Sequence, residues 1–315
     1  MQPYISKRGD SAAHQGYRTA FSLVGRQTCG LRASHQELRL GIKRQPAVEV
    51  TAVDGSLLLS PALPLFGQRY RFVQGIGQGT FSQILLCTDT YAVDSENQAR
   101  CGCEQLVALK VMNLKYRAIG VQELDMIRYL SSLDFTGARL GQVIYAFDFH
   151  GHFCIVMKRL GASLLTLRQP RSPHSLLGDA ATASLRKLSA QILSSLLFLR
   201  RAGVIHADIK PENILSDISP VSDQGRQDIS GGRVRMGRLR LIDFGNAMLI
   251  ENAPLYYDDF EVQSLCYRAP EVLLGLPFDT PIDMWSFGCV LAEMAAGVAL
   301  FTGEMCNHIM QPYHR

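Results

Sequence analysis

Twelve consecutive residues near the middle of the chain place an acid, a lysine, a proline and an asparagine between two apolar pairs. The run is Val204-Ile205-His206-Ala207-Asp208-Ile209-Lys210-Pro211-Glu212-Asn213-Ile214-Leu215. Because this composition suits neither a helix nor a strand, it predicts a loop that its apolar ends hold rigidly. Asp208 can accept a proton from a hydroxyl group, Lys210 can neutralise charge on a phosphoryl group in transfer, and Asn213 can bind a metal ion.

A second acidic motif follows at Leu241-Ile242-Asp243-Phe244-Gly245. A carboxylate at the end of a strand, followed by a glycine, suits a Mg²⁺ ligand that bridges phosphate groups. The motif follows the predicted polar insertion in the chain.

Three glycines and a serine form the motif Gly75-Ile76-Gly77-Gln78-Gly79-Thr80-Phe81-Ser82. Glycines allow the backbone to approach phosphates closely, although a plain hairpin turn explains this motif equally well in isolation. A dinucleotide-binding fold, as in an oxidoreductase, would need a helix directly after the glycines. The residues from Ile84 onward instead predict a strand, which favours a glycine-rich flap over a nucleotide.

A lysine ends the apolar run Val107-Ala108-Leu109-Lys110. Burying an unpaired lysine is costly, so Lys110 needs phosphates and a carboxylate as partners. Glu123, on the helix predicted next, is the natural carboxylate. The alternative is a lysine at the edge of a strand that extends to solvent.

These motifs lie on a chain whose first part is rich in strands and whose later part is helical, an α+β pattern. Alternation and β-branched residues predict strands over 70–77, 81–88, 106–113, 143–149 and 152–158. Helical spacing of apolar residues predicts helices over 120–130 and 184–203, the second with Leu185, Leu188, Ile192, Leu196 and Leu199 on one face. The segment 281–297 is apolar almost all round, which predicts a buried helix.

Composition narrows the function classes further. The chain has 315 residues and a net charge of +4, which is too weak to indicate direct binding of nucleic acid. Its eight cysteines and the absence of a signal-peptide pattern at Met1 predict reduced thiols in the cytoplasm or nucleus. Cys101 and Cys103 lack a second ligand pair, so we expect a surface loop and no metal there. No apolar stretch is long enough to cross a membrane.

Three regions are predicted along the chain. Residues 1–68 form a basic and flexible extension; a mitochondrial transit peptide is the alternative. Residues 69–160 form a strand-rich lobe. Residues 161–315 form a helical lobe, with a polar insertion at 216–237.

With Ala269-Pro270-Glu271 and Asp283-Met284-Trp285-Ser286-Phe287-Gly288, the motifs resemble in order and spacing those of the eukaryotic protein kinase family, from about residue 70 to residue 303. Tyr267-Arg268 and the run from Pro281 to Ser286 resemble the group that contains the cyclin-dependent, MAP and cdc2-like kinases. The sequence is most similar to the branches of dual-specificity tyrosine-regulated and pre-mRNA-processing kinases. The resemblance implies a two-lobed fold that binds ATP and Mg²⁺ and phosphorylates serine or threonine on proteins, with dual specificity that includes tyrosine as the alternative.

The resemblance also implies a role for each site residue. The catalytic residues would be Asp208, Lys210 and Ser264, with Ser264 bonding both Asp208 and Lys210, and the metal ligands would be Asn213 and Asp243. ATP would contact Ile76, Gly77, Gly79, Ile84, Ala108, Lys110, Glu123, Met157, Leu160 and Leu215, with Met157 behind the adenine and a hinge running from Lys158 to Gly161.

Two departures from the family pattern matter. Ala207 replaces the arginine that reads a phosphate on the activation loop, so we expect no such switch, although Tyr256 and Tyr257 remain candidate phosphorylation sites. The family also has further helices after Gly297 and an arginine that pairs with Glu271, so the chain is expected to be a truncated helical lobe lacking its last helices. The alternative function is therefore a poorly active or inactive product that binds nucleotide or a partner protein.

Overall fold

A five-stranded antiparallel sheet forms the strand-rich lobe, with the strand order β1-β2-β3-β5-β4. The computed structural model describes residues 50–60, 63–91, 105–134, 136–168, 178–217, 237–257 and 262–302. The strands are β1 (Tyr70–Gln78), β2 (Ser82–Asp89), β3 (Gln105–Met112), β4 (Val143–Phe149) and β5 (His152–Lys158). All five lie where the sequence predicts them.

Side chains alternate between the two faces of β3, as the pleat of a strand requires. Val107, Leu109 and Val111 are buried in a core on the outer face of the sheet. Ala108 and Lys110 therefore point to the opposite face, where Lys110 reaches the helix that follows. This alternation explains how a lysine can end an apolar strand.

Helix α1 (Arg117–Leu133) packs against the inner face of the sheet. Of the apolar residues at helical spacing that predict this helix, Leu124, Ile127 and Leu130 are buried and Val121 is half-buried. At Gly120 the helix approaches the sheet so closely that an added Cβ atom would lie 2.5 Å from Cγ of Met112. Glycine is therefore required at this position for the helix to sit where it does.

The helical lobe contains α2 (Leu164–Leu167), α3 (Asp179–Arg201), α4 (Pro270–Leu273) and α5 (Pro281–Ala296). Two short antiparallel strand pairs accompany them, formed by β6 (Val204–Ile205) with β9 (Met248–Leu249) and by β7 (Ile214–Ser216) with β8 (Leu239–Leu241). The strand-rich lobe followed by a helical lobe confirms the predicted α+β, two-lobed fold class.

The two long helices test the predicted patterns differently. On α3, four of the five predicted residues are buried and Leu185 is half-buried, which confirms that stripe. On α5, Ile282, Phe287 and Val290 are buried, whereas Met284 and Trp285 are exposed. The prediction of a helix buried all round was wrong, because an apolar composition does not by itself provide neighbours for every face.

Part of the predicted N-terminal extension is packed. Val50, Leu57 and Phe66 lie in the core on the outer face of the sheet. The predicted boundary near residue 68 stays a prediction, as do the flexibility of 1–49 and most of the insertion at 216–237, which lie outside the described residues. In the part of the chain that the structure describes, no helix is both long and apolar enough to cross a bilayer.

Candidate active site

Asp208 lies at the centre of a hydrogen-bonded cluster in the loop between β6 and β7. Its Oδ2 atom accepts from Nζ of Lys210 at 2.7 Å and from Nδ2 of Asn213 at 3.2 Å. Its Oδ1 atom accepts from the hydroxyl of Ser264 at 2.7 Å, and Lys210 also reaches that hydroxyl at 3.0 Å. The structure thus brings together the three predicted catalytic residues, and Ser264 contacts both partners as expected.

Asp283 on α5 binds the backbone of the loop that carries Asp208. Its carboxylate accepts from the backbone N–H of His206 at 2.7 Å and from that of Ala207 at 2.9 Å. Asp283 is buried, and burial raises the pKa of its carboxyl, although both N–H donors oppose that shift. Asp283 therefore anchors the loop to α5.

Ser264 is positioned by its neighbour Gln263, whose side chain is buried. The Gln263 amide nitrogen donates to the carbonyl of Ile282 at 2.9 Å and to the hydroxyl of Ser286 at 2.6 Å. Its amide oxygen accepts from the backbone N–H of Ala269 at 2.9 Å. Apart from the adjacency of Gln263 to Ser264, no sequence pattern indicates this role.

Lys110 forms a buried cluster with two carboxylates. Its Nζ atom lies 2.8 Å from Oε1 and 2.7 Å from Oε2 of Glu123, and 2.8 Å from Oδ1 of Asp243. Burial by itself lowers the pKa of Lys110, but the two carboxylates outweigh it and the pKa is raised. Lys110 is therefore a permanent cation, paired with Glu123 as the sequence predicts.

Asn213 and Asp243 lie on neighbouring backbone segments, since the N–H of Ile242 donates to the carbonyl of Asn213 at 3.0 Å. Burial raises the pKa of Asp243, but Lys110 lowers it further and brings it to about 2, so the group is a carboxylate. The Asn213 amide nitrogen bonds to Asp208, which leaves its amide oxygen, Oδ1, to face a ligand.

These two oxygen donors fit Mg²⁺. This ion prefers oxygen ligands and is usually bound by one or two protein groups together with substrate phosphates and water. Among the described residues no group of three or more His, Cys, Asp or Glu side chains could hold a metal, so phosphates would have to complete the coordination.

The apolar residues predicted to line the nucleotide site lie on β1, β2, β3 and β5 of the sheet and on β7, with Leu160 two residues after the end of β5. Ala108 on β3 pairs in register with Met157 on β5, and both are half-buried, as are Ile84, Leu160 and Leu215. Ile76 is exposed on β1, together with Gly77 and Gly79. Partly exposed apolar side chains at these positions are suited to contact with a flat aromatic ring.

One detail of the predicted hinge changes. The backbone N–H of Gly161 donates to the carbonyl of Ser216 at 2.7 Å, and that of Lys158 donates to the carbonyl of Gln142 at 2.9 Å. Neither N–H group is therefore available to a bound base. The predicted pairing of the hinge with a base would therefore have to use backbone groups between these two residues, around Leu160.

Ala207 lies in an apolar cluster instead of facing a charged pocket. It is buried with Met248, Ala253, Val262 and other residues, and its φ of 61° is in the left-handed region. A side chain with a charge is absent at this position, which supports the expectation that Ala207 reads no phosphate.

The candidate phosphorylation sites Tyr256 and Tyr257 are both half-buried, and Tyr257 packs edge-on against Phe278 at 5.2 Å between ring centroids. Glu271 is half-buried, so the expected cost of a fully buried, unpaired charge does not apply to it in full.

A further ion pair was not predicted. Glu293 on α5 is buried, accepts from the hydroxyl of Tyr267 at 2.7 Å, and pairs with the guanidinium of Arg168. Burial raises the pKa of Tyr267, and the hydrogen bond to Glu293 raises it further. The pair connects α5 to the end of α2, but its members are 125 residues apart, so spacing could not reveal it.

Comparison with known proteins gives a consistent result. Residues 70–314 match the protein kinase domain family. The chain is 34% identical to serine/threonine-protein kinase AFC1 of Arabidopsis thaliana over 254 residues, which cover 76% of this chain and 50% of AFC1. It is 32% identical to dual specificity protein kinase lkh1 of Schizosaccharomyces pombe, covering 78% of this chain and 34% of that protein.

Dual specificity tyrosine-phosphorylation-regulated kinase 3 of Macaca fascicularis is also 32% identical, over 75% of this chain and 36% of that kinase. A solved crystal structure of a kinase domain superposes with a TM-score of 0.61 at 27% identity, covering 78% of this chain and 70% of that one. The chain thus spans half the length or less of the three relatives named here.

Proposed function

Because the chain belongs to the protein kinase family, with relatives in the group and branches that its motifs resemble, we propose that it transfers the γ-phosphate of Mg²⁺-bound ATP to a hydroxyl group of a protein. The observation that supports this most strongly is the Asp208 cluster. Three side chains, Lys210, Asn213 and Ser264, hold one carboxylate in a fixed orientation. A carboxylate fixed in this way is suited to accept a proton from a hydroxyl group.

Asp208 would accept the proton of the attacking hydroxyl. A carboxylate serves best as a base when its orientation is fixed before the substrate arrives. Ser264 and Lys210 occupy positions on either side of the carboxylate and limit its rotation, while Asp283 holds the loop backbone. Lys210 would also offset negative charge on the phosphoryl group as it moves between oxygens.

Lys110 would bind phosphate oxygens of the nucleotide. Its charge is kept by Glu123, which is buried and faces it from α1. Asn213 and Asp243 would hold Mg²⁺, which neutralises phosphate charge and orients the phosphoryl group.

Serine and threonine are the proposed acceptors. The relatives named above are serine/threonine or dual-specificity kinases, and Lys210 and Ser264 both bond to Asp208 and to each other. We also propose a cytoplasmic or nuclear location, because the described cysteines, Cys87, Cys154, Cys266 and Cys289, are free thiols.

The test separates nucleotide binding from turnover. Asp208→Asn keeps the size of the side chain but removes the base, so turnover should fall by roughly 100-fold or more. The dissociation constant for Mg–ATP should stay within about threefold, because Lys110, Asn213 and Asp243 are unchanged. Phosphate incorporation into a peptide array measures the first, and calorimetry measures the second.

Asp125→Asn is the matched control, since Asp125 is exposed on α1 and has only a distant partner, Arg128, at 3.8 Å. It should leave both quantities unchanged. Unaltered turnover in Asp208→Asn would remove Asp208 from the mechanism. A wild-type chain that phosphorylates no peptide on the array would contradict the proposed function itself.

A further inference from the structure

Residues 50–58 form a short hairpin that covers the outer face of the sheet; we call it the N-terminal hairpin. Thr51 and Leu57 form an antiparallel bridge, and the N–H of Leu58 donates to the carbonyl of Val50 at 2.8 Å. Gly55 has a φ of 82° at the turn, a conformation that favours glycine. Val50 and Leu57 are buried against the sheet, so the hairpin is packed on it.

The hairpin is bonded to the start of α1. The carbonyl of Gly55 accepts from the backbone N–H of Leu114 at 3.0 Å. Leu114 begins the 3-10 turn Leu114–Tyr116, which leads directly into α1 and so to Glu123. This contact fixes the point at which the chain leaves β3 and enters the helix.

A buried histidine makes the second connection. His152 is completely buried at the start of β5. Its Nδ1 lies 2.9 Å from the carbonyl of Met112, and its Nε2 lies 3.0 Å from the hydroxyl of Thr51. Because a carbonyl only accepts, Nδ1 carries a proton, and Nε2 shares its hydrogen bond with the hydroxyl of Thr51. Met112 ends β3, two residues after Lys110.

The third connection reaches the glycine-rich motif. The N–H of Leu57 donates to the side-chain oxygen of Gln83 at 3.0 Å, and Gln83 is buried beside Ser82 on β2. Asn113, the residue between β3 and the 3-10 turn, also contacts the glycine-rich motif. Its backbone N–H donates to the carbonyl of Phe81 at 2.9 Å, and its side-chain amide donates to the carbonyl of Thr80 at 3.2 Å. The tip of the glycine-rich motif and the end of β3 are therefore held together under the hairpin.

We propose that the N-terminal hairpin is a positioning element for the phosphate-binding part of the site, and that Thr51 acts in it through His152. The hairpin sets the junction between β3 and α1, and this junction sets the distance between Lys110 and Glu123. The inference rests on the proposed function, because the Lys110–Glu123 pair matters for phosphate binding only if the protein binds ATP.

The experiment compares Thr51→Val with Thr51→Ser in the full chain. Valine keeps the shape of threonine but cannot donate to His152, whereas serine keeps the hydroxyl. Amide hydrogen exchange without nucleotide should become at least about fivefold faster in α1 of Thr51→Val, because the junction before it is loosened. The dissociation constant for Mg–ATP and KM for ATP should rise about three- to tenfold, with a smaller change in kcat. Thr51→Ser should restore all three quantities.

The experiment must distinguish a lower stability of the whole protein from a displacement of the start of α1. Ile192→Val removes one buried methyl group from α3, far along the chain from the junction, and serves as the destabilised control. If Thr51→Val matches this control in α1 exchange and in ATP affinity, the hairpin is only a structural cover and the proposal is wrong. Hydrogen exchange in α1 can be measured without turnover. A wild-type chain without kinase activity would therefore contradict the proposed function, while the exchange rates of Thr51→Val and Ile192→Val would still test the role of the hairpin.

Discussion

Gly120→Ala should destabilise the protein although alanine is the better helix former. Gly120 lies within α1, so alanine there would normally gain about 0.5–1 kcal/mol. Its Cβ, however, would lie 2.5 Å from Cγ of Met112 and 2.9 Å from Cδ1 of Phe153. Carbon atoms pack at about 3.5–4 Å, so the helix or the buried side chains must move by about 1 Å.

The expected magnitude follows from these opposing effects. Overpacking of a core costs about 1–3 kcal/mol, which exceeds the gain in helix propensity. We therefore expect a net loss of about 1–2 kcal/mol in the free energy of unfolding. Because Glu123 lies one turn further along the same face, the shift should also lengthen its contact with Lys110 and weaken Mg–ATP binding.

Gly288→Ala is the matched control. Gly288 is also a helical glycine, in α5, but an added Cβ there meets no heavy atom within 4 Å. Its substitution should stabilise the protein by about 0.5–1 kcal/mol without affecting ATP. Urea unfolding followed by circular dichroism measures both variants. If both substitutions stabilise the protein to the same extent, the close packing of α1 on the sheet is refuted as the reason for glycine at 120.

Two further predictions concern buried carboxylates. Asp283→Asn replaces one acceptor oxygen by an amide nitrogen, so the backbone N–H of His206 or Ala207 loses its partner. The free energy of unfolding should fall by about 1.5–3 kcal/mol, and turnover should fall as well. Thermal melting and steady-state kinetics measure the two effects, and unchanged turnover would contradict the prediction. Hydrogen bonds from Arg69 lower the pKa of Asp89 below 3.8, so its stabilisation is present above about pH 4 and is lost as the pH falls below that. The difference in Tm between wild type and Asp89→Asn should thus shrink from pH 7 to about pH 3, and a constant difference would contradict the assignment.

Several features of the site could be predicted because their residues are close in the sequence. Asp208, Lys210 and Asn213 lie within six residues, so their types and spacing alone indicated phosphoryl transfer. The strands and the stripes of α1 and α3 followed from apolar periodicity, which depends only on the geometry of one element. The resemblance then supplied roles for distant residues such as Ser264 and Asp243.

The N-terminal hairpin shows where such reasoning stops. Residues 50–58 have no clear periodicity, and their burial depends on the outer face of the sheet, which is a property of other elements. The same limit applies to α5, where composition predicted burial on all sides but Met284 and Trp285 are exposed.

The sequence by itself determined the fold class and the chemical types present at the site, because periodicity and local spacing are properties of neighbouring residues. Only the tertiary structure decided which distant groups meet. Lys110 contacts Asp243 across 133 residues, and Thr51 meets His152 across 101. Such contacts depend on how strands and helices pack, and a buried polar group takes whichever partner that packing supplies. The orientation of Asp208 and the junction before α1 are therefore results of the fold as a whole.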